Sequence, residues 1–287
     1  MIRAPALFCT IGAVTDIAPI KRASTVVLMR DTARGPEVFM VRRTFTIAFM
    51  AGAHVFPGGR VDEADAADVS WADLPDGAAA HRAPSTAFAV SAARELFEEA
   101  GVLLARDRNG RCPATTAAFA EWRAAVHDKA RSFREVVTDA GLRLALDAIV
   151  PFARWVTPPN EVRRFDTWFY LTAVPDGQIP VHDTSENVAS EWLRPADAIA
   201  ACVAGRVHLP PPTWATLREL EPFASVADAL RWAATRSIQE RSPVLTDDGA
   251  TREIVMPGHP RHPSNEPVTF ETRFVWQGTR WLPEADR

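Results

Sequence analysis

An α/β fold with a mixed β-sheet is what this sequence predicts, and three observations predict it. β-Branched and apolar runs are interleaved with helical stretches along the chain. Several of the strand-like runs are joined by short turns, which favours a mixed sheet over an all-parallel one. Hydrophobic residues make up 47% of the 287 positions, enough to bury the core of one large domain with inserts. Residues 1–287 read as that single domain. It carries an insertion at 66–84, a helical insert at 114–147 and a C-terminal extension at 205–287.

Taken in order, residues 24–30 and 37–43 form a strand pair separated by the turn-prone segment 31–36. A short strand at 54–56 runs into Pro57-Gly58-Gly59, where the chain must turn sharply. Residues 60–84 are acidic, Ala-rich and interrupted by Pro and Gly, and read as a surface excursion. A helix follows over 85–100, with Ser85 or Thr86 as its N-cap and Gly101 at the left-handed stop. Helices at 117–130 and 132–140 fill the helical insert. Strands resume at 149–156, 166–171 and 191–193. Helices fit 195–203, 213–220 and 226–237, and the Pro-rich tail has strand-like pieces at 252–256 and 268–276. There is no internal repeat.

The 32 Lys and Arg are scattered and slightly outnumbered by 36 Asp and Glu, so no basic stripe suggests a nucleic-acid partner. No apolar run approaches a membrane span of about 20 residues. The first ten residues are too short an apolar patch for a signal peptide. Cys9, Cys112 and Cys202 match no zinc or disulfide spacing and read as reduced thiols of a cytoplasmic protein. The C-terminal Ala285-Asp286-Arg287 is no peroxisomal address. A homodimer is left open.

The stretch that carries chemistry is Arg94-Glu95-Leu96-Phe97-Glu98-Glu99-Ala100-Gly101-Val102. On a helix, Ala89, Ala93, Leu96 and Ala100 form an apolar stripe. Glu95, Glu98 and Glu99 fall within a sector of about 100° beside it. Carboxylates so close repel one another unless a cation neutralises them. Such a set suits Mg²⁺ or Mn²⁺, above all when substrate phosphates complete the coordination. A solvated acidic face is the alternative for any Glu run. Upstream, Gly58 and Gly59 let backbone approach a ligand closely, or simply make a tight turn.

This stretch resembles the second half of the Nudix box, G-x5-E-x7-R-E-U-x-E-E-x-G-U, at Arg94, Glu95, Leu96, Glu98, Glu99, Gly101 and Val102. Gly59 stands at the opening Gly and Asp65 where the first Glu is expected, but some 28 residues rather than seven separate Asp65 from Arg94. The split box, with Met50-Ala51-Gly52-Ala53-His54-Val55-Phe56 before it, resembles the long-insert Nudix group that includes a mammalian peroxisomal coenzyme A diphosphatase. Trp155-Val156-Thr157-Pro158, Arg164-Phe165-Asp166-Thr167, Leu209-Pro210-Pro211-Pro212 and Met256-Pro257-Gly258 extend the likeness over roughly 24–260.

The resemblance implies a Nudix α/β/α sandwich and a divalent-metal pyrophosphohydrolase. Glu95, Glu98 and Glu99 would hold Mg²⁺ or Mn²⁺ with the carbonyl of Gly58, and Arg94 would orient them through an ion pair, with Asp65 as its partner. An acidic residue from a late loop would serve as base or extra ligand; Glu186 is the candidate and Glu191 its competitor. Arg43 and Arg164 are candidates for binding substrate phosphate, although Arg164 would equally pair with Asp166. His54 and Trp122 and Trp232 read as packed residues. Leu209–Pro212 reads either as lining of the site's mouth or as a rigid lead into the next helix.

The implied substrate is a small nucleotide diphosphate, first coenzyme A or acyl-CoA, cut to 3′,5′-ADP and (acyl-)4′-phosphopantetheine. NADH or ADP-ribose is the alternative. A non-catalytic nucleotide-sensing domain is disfavoured because all three box carboxylates are kept. The helical insert either shapes an acyl pocket or merely packs.

Overall fold

The computed structural model describes residues 18–45, 50–76, 85–159 and 161–284. Strands β1 (Ile20–Arg30), β2 (Glu37–Arg43), β3 (His54–Val55) and β4 (Gly58–Arg60) come first. A 3₁₀ turn (Glu63–Ala66) and β5 (Ala72–Asp73) lead to α1 (Thr86–Ala100). Next come β6 (Ala105–Arg106), α2 (Ala117–His127), α3 (Phe133–Asp139), β7 (Arg143–Ala145), β8 (Val150–Val156), β9 (Arg164–Ala173) and β10 (Asn187–Leu193). The last part holds α4 (Pro195–Val203), α5 (Pro211–Leu220), α6 (Val226–Thr235) and strands β11 (Glu240–Arg241), β12 (Val244–Asp247), β13 (Arg252–Val255), β14 (Arg273–Trp276) and β15 (Trp281–Pro283).

The main sheet runs β10-β2-β1-β9-β8-β11, with β3 on β2 and β4 on β1. It is mixed: β1 pairs in parallel with β9 and antiparallel with β2 and β4. The period-2 alternation of β1 explains how both faces are covered. Val26 and Leu28 point into a core shared with α1, α2 and α3, whereas Val27 and Met29 point into one shared with α4, α5, α6 and the C-terminal strands. Helices thus lie on both faces of the sheet, as the resemblance to the Nudix fold implies. Strands β12 to β15 form an antiparallel meander that closes the second core, where Trp214 Nε1 donates to Glu271 Oε2 at 2.7 Å and Phe274 packs edge-on against the Trp214 ring.

Helix α1 is the central element of the first core. Ser85 caps it, accepting from the Ala87 N–H, and Gly101 ends it at φ 68°. Phe97 is fully buried and meets Phe119 of α2 and Phe133 of α3 at centroid distances near 6 Å. Burying such a side chain contributes about 1.5–3 kcal/mol. The helical insert therefore packs on α1 through its aromatic residues, and Trp122 and Trp232 are partly buried against the two cores.

The reading of 60–84 as a surface excursion needs correction. Asp65, Trp71 and Ala72 are buried, and β5 joins β7 and β6 in a small third sheet. Composition misled because one charged residue here, Asp65, is satisfied from far along the chain. Residues 77–84 of that insertion, and Cys9, lie outside the described residues. Pro210 is the N-cap of α5 and Pro211 its first residue, so Leu209–Pro212 is a helix lead with Pro where no backbone donor is needed.

Candidate active site

Four acidic side chains and one arginine meet where β4 crosses the face of α1. Arg94 binds both oxygens of Asp65, through Nε at 3.0 Å and Nη2 at 2.9 Å. Its Nη1 donates to Glu95 Oε1 at 2.9 Å and to Glu98 Oε1 at 2.8 Å, and Nη2 also reaches the Arg60 carbonyl at 2.8 Å. Asp65 closes a capping box, accepting from the Asp62 N–H at 2.8 Å. The shorter Asp thus does reach Arg94, because the 3₁₀ turn carries it inward. Burial opposes the charge of Arg94, but the carboxylates of Asp65, Glu95 and Glu98 outweigh it and raise its pKa.

Glu99 is buried and accepts from the Gly58 N–H at 2.9 Å. Among the described residues no cationic side chain forms an ion pair with it. Burial, reinforced by the charges of Glu95 and Glu186, holds its carboxyl well above the usual range against the pull of the Gly58 N–H and Arg43. Glu95 is pushed up to about 7, first by burial and then by Glu98 and Asp65, against the attraction of Arg94.

The two glycines make this proximity possible. A Cβ on Gly59 would stand 2.5 Å from the Glu95 carboxylate, and one on Gly58 would stand 2.4 Å from the Ser24 carbonyl oxygen. Asp65, Glu95 and Glu98 thus share the Arg94 guanidinium, and the buried Glu99 beside them accepts from the Gly58 N–H. This donor set, hard, oxygen-rich and under-neutralised, fits a divalent cation. Among the described residues no group of three or more His, Cys, Asp or Glu side chains is spaced to hold a metal ion by itself. The arrangement suits an ion that keeps several of its ligands from water and substrate phosphate.

Around this cluster the other sequence candidates divide. Glu186 lies beside it: its carbonyl accepts from Thr44 N–H at 2.9 Å, its carboxylate is 3.8 Å from Arg43 Nη2, and its charge acts on Glu99. Arg43 is largely buried, and its Nε makes no hydrogen bond among the described residues. Glu191 instead stands 3.4 Å from His54 Nε2, opposite Met40 on β2. His54 is buried and its pKa is lowered to about 4, mainly by burial and further by Arg42 and His208. Arg164 is not brought to the carboxylates. It pairs with Ile20 at the start of β1 and donates to the Thr157 and Ala18 carbonyls. Its expected pairing with Asp166 is also corrected: Asp166 takes both bonds of Arg154, at 2.8 and 2.9 Å, from the neighbouring strand β8.

Two further residues stand near the site. Asp183 accepts from the N–H groups of Ser185 and Glu186 and from the Asn187 side chain. Burial would raise its pKa, but these donors hold it below the usual range. The Asp-Thr-Ser-Glu-Asn run has the composition of an Asx turn, which is the signal that points to it. Arg123, on α2, has no sequence signal.

The NUDT19 Nudix domain family matches residues 78–220, beginning beyond the first half of the split box. The structure of a NUDIX hydrolase from Alicyclobacillus acidocaldarius superposes with a TM-score of 0.69 at 30% identity, covering 78% of this chain and 100% of that one. The chain belongs to the Nudix hydrolases. Among Nudix relatives, the human acyl-coenzyme A diphosphatase NUDT19 is 30% identical over 72% of this chain and 66% of its own length. The Gallus gallus protein of that name is 28% identical over 83% of this chain and 76% of its own. A putative nudix hydrolase 7 from Caenorhabditis elegans is 32% identical over 72% and 62%. The chain thus matches about two thirds of the human protein's length. Nudix hydrolases use divalent metals, in keeping with the donor set on α1 and β4.

Proposed function

We propose that this protein is a Mg²⁺- or Mn²⁺-dependent diphosphatase of coenzyme A and acyl-CoA, releasing 3′,5′-ADP and (acyl-)4′-phosphopantetheine. The observation that carries the reading is the buried, under-neutralised group of Glu95, Glu98 and Glu99, locked by Arg94 and Asp65 and set against Gly58. The substrate class is supported by the likeness to proteins named acyl-coenzyme A diphosphatase.

Glu95, Glu98 and Glu99, with the Gly58 carbonyl, would hold the cation. When bound, it neutralises the diphosphate and lowers the pKa of water. Arg94 keeps the carboxylates in their rotamers. Arg43 offers a charged donor at the rim of the cluster, suited to a substrate phosphate. Glu186 takes the proton from the attacking water. Oxygen from that water bonds to one phosphorus, the bond from that phosphorus to the bridging oxygen breaks, and the leaving phosphate carries the electron pair away. Glu186 is preferred to Glu191 because its charge acts on Glu99, whereas Glu191 faces His54.

The test is a panel of CoA, acyl-CoAs, NADH, ADP-ribose and diadenosine polyphosphates with Mg²⁺ or Mn²⁺, products identified by mass. 3′,5′-ADP from CoA substrates is expected, and chelation should abolish it. Glu98→Gln and Glu99→Gln should each lower kcat by about 100-fold or more with the fold retained. Faster turnover of NADH or ADP-ribose would move the substrate assignment, and near-normal turnover by both variants would remove the metal site.

A further inference from the structure

The last turn of α1 poses an accounting problem that the helical insert solves. A helix C-terminus leaves four carbonyls without intrahelical donors. Here Phe97 O accepts from Gly101 N at 2.9 Å, and the other three are met from outside the helix. Arg123 Nε donates to Glu98 O at 2.7 Å. Asp183 N donates to Glu99 O at 3.0 Å and Val181 N to Ala100 O at 2.9 Å. Arg123 also donates from Nη1 to Val181 O at 2.9 Å, so one guanidinium from α2 clamps the end of α1 to the incoming segment. Its Nη2 is buried with no hydrogen-bond partner among the described residues, and its charge couples to Asp183, Glu99 and Glu98.

The segment held this way leads straight to Glu186. Asp183 Oδ1 accepts from Ser185 N at 2.8 Å and from Glu186 N at 2.6 Å, which shapes the turn. Ser185 Oγ lies 3.3 Å from His127 Nε2, a second contact from α2 to the same loop. Glu98 and Glu99 thus sit on one side of the clamp and Glu186 on the other.

We propose that Arg123 is a positioning residue of the hydrolytic site: it fixes the loop that carries Glu186 against the helix that carries Glu95, Glu98 and Glu99. The inference rests on the reading of this site as a metal-dependent diphosphatase with Glu186 as base. It gives the insert at 114–147 a part in the reaction's geometry beyond its packing.

The full-length chain and its Arg123→Ala, Arg123→Lys, Glu186→Gln and Arg123→Ala/Glu186→Gln variants decide it, assayed with Mg²⁺ and the fastest substrate of the panel. Arg123→Ala should lower kcat by about 10- to 100-fold, as loss of an orienting partner does. KM should stay within about threefold, since no ground-state contact to substrate is removed. Arg123→Lys, which keeps the charge and N–H donors, should recover part of the loss. The double variant should be no slower than Glu186→Gln alone, because residues acting as a unit are non-additive. Hydrogen–deuterium exchange of amides 181–187 should rise in Arg123→Ala while that of 88–96 is unchanged. Normal kcat in Arg123→Ala, losses that multiply, or exchange rising equally along α1 would each overturn the proposal. A silent Glu186→Gln removes the base assignment alone, and the exchange measurement then decides whether Arg123 holds the loop.

Discussion

A Cβ at position 59 would meet the Glu95 carboxylate at 2.5 Å, and one at position 58 would meet the Ser24 carbonyl at 2.4 Å. The obstacle differs in kind. The Glu95 carboxylate is the end of a flexible side chain and can swing aside, at small cost to the fold but with loss of its place on the cation. The Ser24 carbonyl belongs to β1 in the middle of the sheet and cannot. Gly59→Ala is therefore expected to unfold within about 1 kcal/mol of the wild type, yet to lose about 100-fold in kcat. Gly58→Ala should be destabilised by about 1–3 kcal/mol through overpacking. Denaturant unfolding beside steady-state kinetics separates the two. Equal stability losses with equal activity losses would mean that Gly59 serves the turn only.

Helix α1 was legible because its signals are local: Ser85 at the cap, a 3.6-residue apolar stripe, three carboxylates beside it and Gly101 at the stop. Its stop offers a test. Gly101 is in the left-handed region at φ 68°, and a Cβ there would also approach Arg123 Nη1 to 3.3 Å. Gly101→Ala should cost about 1–2 kcal/mol from the backbone alone, read as a lower denaturation midpoint at unchanged slope. No loss would mean that the helix end relaxes without strain. Elements outside the reach of local signals were missed. Strands β5, β6 and β11 span two residues each, too short for periodicity, and exist only because distant segments lie beside them. The segment 60–84 reads as surface because its composition is polar and the partners that bury Asp65 and Trp71 are distant: Asp65 meets Arg94, the pairing the family resemblance implies, 29 positions on, and Trp71 meets Phe133 on α3. The clamp by Arg123 was invisible for the same reason: its acceptors are main-chain carbonyls, which carry no residue signature.

At the scale of the molecule, strand β3 and the segment before α5 are joined through a histidine pair. His54 N donates to His208 O at 2.8 Å, and His208 N faces His54 Nδ1 at 3.4 Å. His208, in the loop before α5, also packs against Trp276 of the meander. With Nδ1 accepting, neutral His54 carries its proton on Nε2, toward Glu191 at 3.4 Å. Charging it would place a second donor against the His208 N–H, in a buried site that also faces Arg42. Its folded pKa is accordingly lowered to about 4 from 6.5. Because the folded value is depressed, the unfolded chain binds the extra proton between these two values. His54 therefore contributes stability that is fully present above about pH 6.5 and lost as pH falls toward 4. Glu95, raised to about 7, titrates in an overlapping window with the opposite sign, so the wild-type profile alone does not isolate His54. The difference between wild type and His54→Gln does. That difference should shift in favour of the variant as pH falls from 7.5 to 5, measured by urea unfolding at fixed ionic strength. A gap that stays constant over this range would show that His54 does not titrate between the folded and unfolded states. The joint between the sheet and the extension would then be indifferent to acid.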